Sequence, residues 1–339
     1  MTMGGVVTSV FTRKVSMEKY LITGFSGFVS RHFLDFLEKS GTNASVLGID
    51  VHEPSLKLDS FQHVKCKFER LDLLDKERVQ EVIYKFQPNY ILHFASYSSV
   101  MFSWKNPIQS FQNNTNIFLN LLDAIRLLNV DVRVLSIGSS EEYGNVTDQE
   151  LPLREEQPLR PVSPYAVARV SQEMISRVFV EGYGLDIVIT RSFNHIGPGQ
   201  NEIFVISSFA KQLVEGSRSG SKKVPLKTGD LSIVRDFTDV RDVVRAYHLL
   251  LKKGRKGEVY NVCSGRGTSL AEILAAMGKR VGVQIEQTTD PKLVRPSDNR
   301  VIVGSNRRIT QEVGWKPGIS FEQTVDDLIA DWRLRLSNA

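Results

Sequence analysis

The chain has 339 residues, 41% of them hydrophobic, which is ample for a large core and too long for one small domain. Its net charge of +5 comes from 43 basic residues scattered among 38 acidic ones, with no basic–aromatic repeat of the kind that tracks nucleic acid. The two cysteines stand far apart, the six histidines lack ligand spacing, no apolar run reaches membrane-spanning length and Met1–Lys19 has no signal-peptide core. Disulfide framework, metal centre and membrane attachment are thereby argued against, and a cytoplasmic protein is predicted.

Residues 1–16 read as a loose extension. The stretch that organises the chain follows, Tyr20-Leu21-Ile22-Thr23-Gly24-Phe25-Ser26-Gly27-Phe28-Val29-Ser30: a short apolar strand, a glycine turn, then a helix pattern through Leu37. Gly24 and Gly27 let the backbone turn sharply and approach a pyrophosphate, and the free N–H groups of the next helix hold its charge. Gly24, Phe25, Ser26, Gly27 and Phe28 are therefore candidate cofactor contacts. A second apolar run, Ala44 to Asp50, ends in an acid that can accept both hydroxyls of an adenosine ribose and would repel a 2′-phosphate, so Asp50 points to NAD rather than NADP.

A polar connection leads to Leu71-Asp72-Leu73, where Asp72 and Leu73 are placed to face an adenine. Lys76–Phe86 reads as a helix. Tyr90–Ser96 reads as a buried strand ending in Phe94, Ala95 and Ser96, small enough at its tip for backbone to approach a cofactor. Pro107 opens a long helix through Leu128 that carries Asn114, a further cofactor candidate. Val132–Ile137 is the next strand and runs into Gly138-Ser139-Ser140-Glu141-Glu142-Tyr143-Gly144. Pro164 heralds a helix from about Tyr165 to Tyr183, and Leu185–Arg191 is another strand. This alternation predicts an α/β fold, a Rossmann-type doubly wound parallel sheet. Beyond the loop Ser192–Gln200 the alternation weakens. A smaller C-terminal α/β domain is predicted from 192–235 and 266–339, with 17–191 and about 236–265 forming the first.

Three positions fall at strand ends, where such a sheet puts its chemistry: Ser139, Tyr165, and Arg169 one helical turn on, at i+4. Moving a hydride to or from a carbon that bears oxygen requires a partner for the hydroxyl proton. A tyrosine with a cation nearby can serve, with a serine holding the substrate oxygen beside it.

These motifs together resemble the extended short-chain dehydrogenase/reductase family, whose members act mostly on nucleotide sugars; the resemblance runs from Tyr20 to Trp332. Within it, Arg191-Ser192-Phe193-Asn194-His195-Ile196-Gly197-Pro198-Gly199-Gln200, Arg295-Pro296-Ser297-Asp298 and Gly314-Trp315-Lys316-Pro317 are similar to the GDP-mannose-derived branch. They look most like reductases of the C4 ketone of GDP-4-keto-6-deoxy-mannose, with GDP-mannose 4,6-dehydratases as close relatives. The resemblance implies Ser139, Tyr165 and Arg169 as the catalytic set, with Tyr165 and Arg169 also touching the cofactor. Glu141 stands where the dehydratases keep their C5 base. It also implies a sugar pocket lined by Ser98, Ser99 and Ser140, a diphosphate held by Asn194, Arg235 and Arg295, and a nucleotide reached by Lys211. A homodimer through the Pro107 and Tyr165 helices is a further implication.

Two departures stand out. The family's Tyr-x-x-x-Lys pattern ends here in Arg169, a fixed charge that does not give up its proton. Either it supports Tyr165 electrostatically, or the protein binds cofactor and sugar with little turnover. Ser30 replaces a frequent third glycine and is small enough to keep the helix packed. Asp50 also pulls against the reductase reading, because many such reductases use NADPH while tightly held NAD suits a dehydratase. His195 reads as a structural loop histidine, Trp315 as core, and Asp239 and Asp242 as caps or braces of the following helix.

Overall fold

A computed structural model describes residues 17–220, 222–294 and 299–337; the extension 1–16 and Arg295 lie outside the described residues. The first half alternates strand and helix: β1 (Glu18–Thr23), α1 (Phe28–Lys39), β2 (Ala44–Asp50), β3 (Val64–Arg70), α2 (Lys76–Phe86), β4 (Tyr90–His93), α3 (Val100–Lys105), α4 (Pro107–Leu128), β5 (Arg133–Ser139), α5 (Pro164–Tyr183) and β6 (Asp186–Ser192). The second half has shorter pieces: β7 (Asn194–Ile196), α6 (Val205–Arg218), β8 (Lys223–Thr228), β9 (Val234–Asp239), α7 (Val240–Lys253), β10 (Val259–Val262), β11 (Gly267–Ser269), α8 (Leu270–Val281), β12 (Gln284–Thr289), β13 (Val301–Ile302), α9 (Arg307–Val313) and α10 (Phe321–Ser337).

Seven strands form one sheet in the order β10-β6-β5-β4-β1-β2-β3, every pair parallel. The order reverses between β1 and β4, which opens a crevice beyond their C-terminal ends. The two-residue period of a strand sends neighbours to opposite faces. Tyr20 and Ile22 therefore join a core under α1 and α7, with Phe33, Leu37, Tyr247 and Trp315. Leu21 joins the core under α2, α4 and α5, with Ile83, Phe118, Leu121 and Phe179.

The helices start and stop where their chemistry dictates. Asp75 caps α2 by accepting from Arg78 N–H, and Ser163 caps α5 by accepting from Ala166 N–H at 3.1 Å, with Pro164 at the first position. Gly184 ends α5 with φ +73°, and Asn129 ends α4 in the same left-handed region.

The predicted helices Lys76–Phe86 and Pro107–Leu128 and the strand Ala44–Asp50 stand at the bounds read from sequence. Three differences have physical reasons. β3 replaces the expected polar connection; it is an edge strand in which only Val64 is fully buried, so its pattern is mostly polar. α3 is a short helix capped by Ser99. β4 ends at His93 rather than Ser96, because Phe94 and Ala95 turn to meet the glycine loop.

The remaining strands build smaller sheets: β9 pairs with β7, β11 and β13, and β8 with β12. They share a core with α6, α8 and α10 that includes Phe209, Leu226, Ile273 and Trp332. β9 lies wholly in the small sheet, so the return to the large one is made by α7 and β10. Among the described residues no helix is long and apolar enough to cross a membrane, and no group of three or more metal-ligating side chains occurs.

Candidate active site

The glycine turn sits at the crevice. Gly24 has φ +68°, and a Cβ there would lie 2.6 Å from Ala95 N and 2.8 Å from the Phe94 carbonyl carbon, so only glycine lets β1 turn against the end of β4. Gly27 precedes α1 without any side-chain cap, which leaves the first N–H groups of the helix free for an anion. Ser30 is buried and its hydroxyl donates to Gly24 O at 2.9 Å, tying the turn to the helix. Asp50 accepts from Ser26 N–H through Oδ2 and from His52 N–H through Oδ1, each at 3.0 Å. Each carboxylate oxygen keeps a lone pair for a hydroxyl beyond. A cradle with no room for a side chain, an uncapped helix start and an acid at the strand end fit a dinucleotide.

Two of the expected contacts face elsewhere. The Phe25 ring is fully buried in the α1 side of the core, stacked on Phe68 with centroids 6.1 Å apart; only its backbone belongs to the turn. Leu73 is likewise a core residue, its carbonyl held by Asn120 Nδ2 at 2.9 Å, whereas Asp72 is exposed and accepts from Leu74 N–H at 2.9 Å. Phe28 leans out toward the second half, its ring parallel to His195 with centroids 6.3 Å apart. Asn114 is buried and spends both ends of its amide on Tyr97, accepting from N–H at 2.8 Å and donating to the carbonyl at 3.1 Å. It shapes the loop after β4 rather than offering a free polar group.

Arg169 ties three parts of the site together. It is 5% exposed, against 8% for Ser139 at the tip of β5 and 7% for Tyr165 in the first turn of α5. One guanidinium nitrogen donates to Ile137 O at 3.0 Å and to Gln172 Oε1 at 2.6 Å, and the other to Ser96 Oγ at 2.5 Å. Its Nε is buried with no hydrogen-bond partner among the described residues. The guanidinium carbon lies 5.2 Å from the centroid of the Tyr165 ring, in cation–π range. Burial and then the Arg169 charge hold the His93 imidazole neutral, its pKa pushed down to about 3; its Nδ1 is 2.9 Å from Thr23 Oγ1.

The Ser139 hydroxyl accepts from Glu141 N–H at 3.2 Å, and Glu141 itself is half-buried. The remaining candidates are spread along the crevice and the small domain. Ser99 caps α3, Ser98 is exposed and Ser140 is buried. Asn194 is exposed in β7. Arg235 is buried in β9 and donates to Val234 O at 2.9 Å and Asn299 O at 2.8 Å. Lys211, on α6, is paired with Glu202 at 3.1 Å and lies over the Trp332 ring at 5.7 Å, so its charge is already engaged. Trp315 is core as expected, donating to Asp242 O at 2.9 Å, whereas His195 lies in strand β7 rather than a loop, its Nδ1 3.3 Å from Phe193 O. Asp239 caps α7, and Asp242 braces Gly318 and Ile319. Sequence reading passed over Glu142, Glu173 and Arg191, which lie buried behind Ser139; a charged residue inside an otherwise apolar strand, as Arg191 is, was the available signal.

The family model for GDP-mannose 4,6 dehydratase matches residues 21–328. The chain is 32% identical to a GDP-6-deoxy-D-mannose reductase of Pseudomonas aeruginosa over 94% of its own length and 98% of that protein's. Its fold is similar to that of RMD from Pseudomonas aeruginosa, solved with NADPH (TM-score 0.82, 31% identity, 94% of this chain and 100% of that one). It is also similar to the UDP-glucose 4-epimerase of Thermus thermophilus, solved with NAD (TM-score 0.81, 30% identity, 93% of this chain and 99% of that one). With its parallel seven-stranded sheet, its glycine turn and a family match over residues 21–328, the chain belongs to the GDP-mannose 4,6-dehydratase family of the extended short-chain dehydrogenase/reductases.

Proposed function

We propose that this protein is a nicotinamide-dependent reductase of the C4 ketone of GDP-4-keto-6-deoxy-mannose. The observation that carries the reading is Arg169, which reaches Ile137 O in β5 and Ser96 Oγ after β4 and lies against the Tyr165 ring, in a chain similar over nearly its full length to a GDP-6-deoxy-D-mannose reductase. Bound in the crevice, the reduced dinucleotide supplies the hydride. Ser139 and Tyr165 hold the ketone oxygen by hydrogen bonds, and Tyr165 gives that oxygen its phenolic proton. Arg169 stabilises the tyrosinate as a fixed charge; it does not pass on a proton, so solvent restores the phenol.

The cofactor is a nicotinamide dinucleotide, and Asp50 favours NAD over NADP, because its carboxylate would meet a 2′-phosphate with like charge. The large sheet holds the dinucleotide. Asn194 and Arg235 take the sugar diphosphate from the small domain, Arg295 joining them by resemblance alone, and Ser98, Ser99 and Ser140 line the sugar pocket; arginine suits bidentate contact with phosphate oxygens. A homodimer is part of the reading. Ile108, Phe111 and Leu119 on α4, with Val167, Met174 and Val178 on α5, are exposed apolar residues at helical spacing on two helices that pack side by side.

A second reading is favoured by Glu141, two residues after Ser139: a 4,6-dehydratase in which Glu141 takes the C5 proton and water leaves across C5 and C6. One assay separates them. The protein, NADH and GDP-4-keto-6-deoxy-mannose are mixed and the nucleotide sugar is weighed. A gain of two hydrogens with equal loss of NADH supports the reductase. An unchanged sugar, followed by loss of water from GDP-mannose with NAD and no net cofactor consumption, supports the dehydratase.

A further inference from the structure

Beneath Ser139 lies a buried group of charges that none of these steps uses. Ser139 N–H donates to Glu142 Oε1 at 2.6 Å. Gly138 can carry no side chain, since a Cβ would stand 2.4 Å from that same oxygen. Glu142 is fully buried, and among the described residues its other oxygen, Oε2, meets no N–H or O–H donor. Its carboxyl instead faces that of Glu173, within hydrogen-bonding reach. Both Glu173 oxygens already accept from Arg191, each at 2.9 Å, and Oε1 also accepts from Arg177.

Two carboxyls in contact and out of water cannot both stay ionised, whereas one proton between them turns repulsion into a donated O–H bond. Burial opposes ionisation of Glu173, and its two arginines outweigh that, so its pKa stays low. Burial and then the Glu173 charge push Glu142 up to about 8. The other groups facing the pair are Arg177 on α5, Arg191 on β6, Glu155 ahead of α5, and Tyr143 on the same turn. Arg191 reaches the Glu155 carbonyl at 3.1 Å and lies 4.8 Å from the Tyr143 ring centroid. Burial raises both Glu155 and Tyr143.

We propose that Glu142 is a positioning residue for Ser139: it carries the proton shared with Glu173 and, through its other oxygen, fixes the strand end that bears the Ser139 hydroxyl. Loss of that proton to solvent leaves two carboxylates face to face and loosens the strand end. The inference rests on the reading of Ser139 as the group that orients the ketone.

The test is Glu142→Gln, whose amide oxygen accepts from Ser139 while its NH2 donates to Glu173, a copy of the protonated acid. Two measurements need no substrate. The wild type at pH 7 shows a protonated-carboxyl infrared band that Glu142→Gln lacks. Its melting temperature also falls from pH 6 to pH 8 more steeply than the variant's: a folded-state pKa raised from 4.5 gives stability that is lost as pH rises towards about 8. For turnover of the keto sugar, the same ionisation lowers wild-type kcat about tenfold from pH 7 to pH 9, and the variant's kcat falls less over that interval, with the cofactor KM unmoved. In selectively labelled protein, the Ser139 amide resonance titrates with Glu142 in the wild type and not in the variant. Coincident infrared and melting profiles would overturn the shared proton. A Ser139 amide indifferent to pH, or kcat profiles that coincide, would overturn the positioning role. Absence of turnover with the amide still titrating would instead count against the assigned substrate alone.

Discussion

On the proposed reading, Arg169 meets the demand of its position in a different way from a lysine. A lysine at that place is a point charge on a flexible stem; the guanidinium is a flat fork that engages Ile137, Gln172 and Ser96 at once. We expect Arg169→Lys to lower kcat about tenfold, because a buried site shaped for a fork is left with unmet acceptors. Equal or higher turnover would mean that charge alone matters there. Tyr165→Phe removes the proton donor and should cost kcat about 10²- to 10⁴-fold while cofactor affinity, read by fluorescence titration, stays within about twofold. Asp50→Ala should weaken NADH binding about tenfold and narrow the gap to NADPH. Unchanged preference would remove Asp50 from cofactor selection. At this scale the sequence was legible wherever a residue's role is local. The Gly24 turn announces itself by its neighbours, and Ser139 and Tyr165 stand at the end of β5 and in the first turn of α5, near where spacing put them. Asn114 and Phe25 did not reveal their side-chain directions, and the Glu142–Glu173–Arg191 group joins a turn, a helix and a strand that no spacing rule connects.

Elements with strong periodicity and a cap were read to the residue, as α2 and α4 were, because burial pattern and end chemistry agree. β3 was missed since an edge strand buries little and its side chains alternate polar with polar. α5 carries Tyr165, Arg169, Gln172 and Glu173 on buried positions, so on the proposed reading the chemistry hangs on it. Its start is set by Ser163, so Ser163→Ala should lower unfolding free energy by about 1 kcal/mol, measured in urea. If the cap also places Tyr165, kcat falls by more than the loss of folded protein explains.

For the whole molecule, α4 and α5 present an apolar stripe to solvent in which Val178 is 58% exposed. We expect sedimentation to give a homodimer and Val178→Asp to weaken it at least about 100-fold, since a buried unpaired charge opposes association. A wild-type monomer at micromolar concentration would end that expectation. The alternation of strands and helices made the large sheet legible from sequence. The small sheets were not, because their strands are short and their partners distant along the chain.

The position of β10 has a consequence for how the protein is made. It pairs only with β6 at the sheet's edge, and α7 before it contributes Val243, Tyr247 and Leu250 to the core over α1. A ribosome that has finished β6 has thus produced six strands of the sheet with one apolar face covered by α1 alone. That face must wait, through the whole of β7 to β9, for the segment that seals it. The nascent chain is then most exposed to aggregation and to chaperone capture between residues 192 and 262, and a truncation within that interval would accumulate as insoluble material.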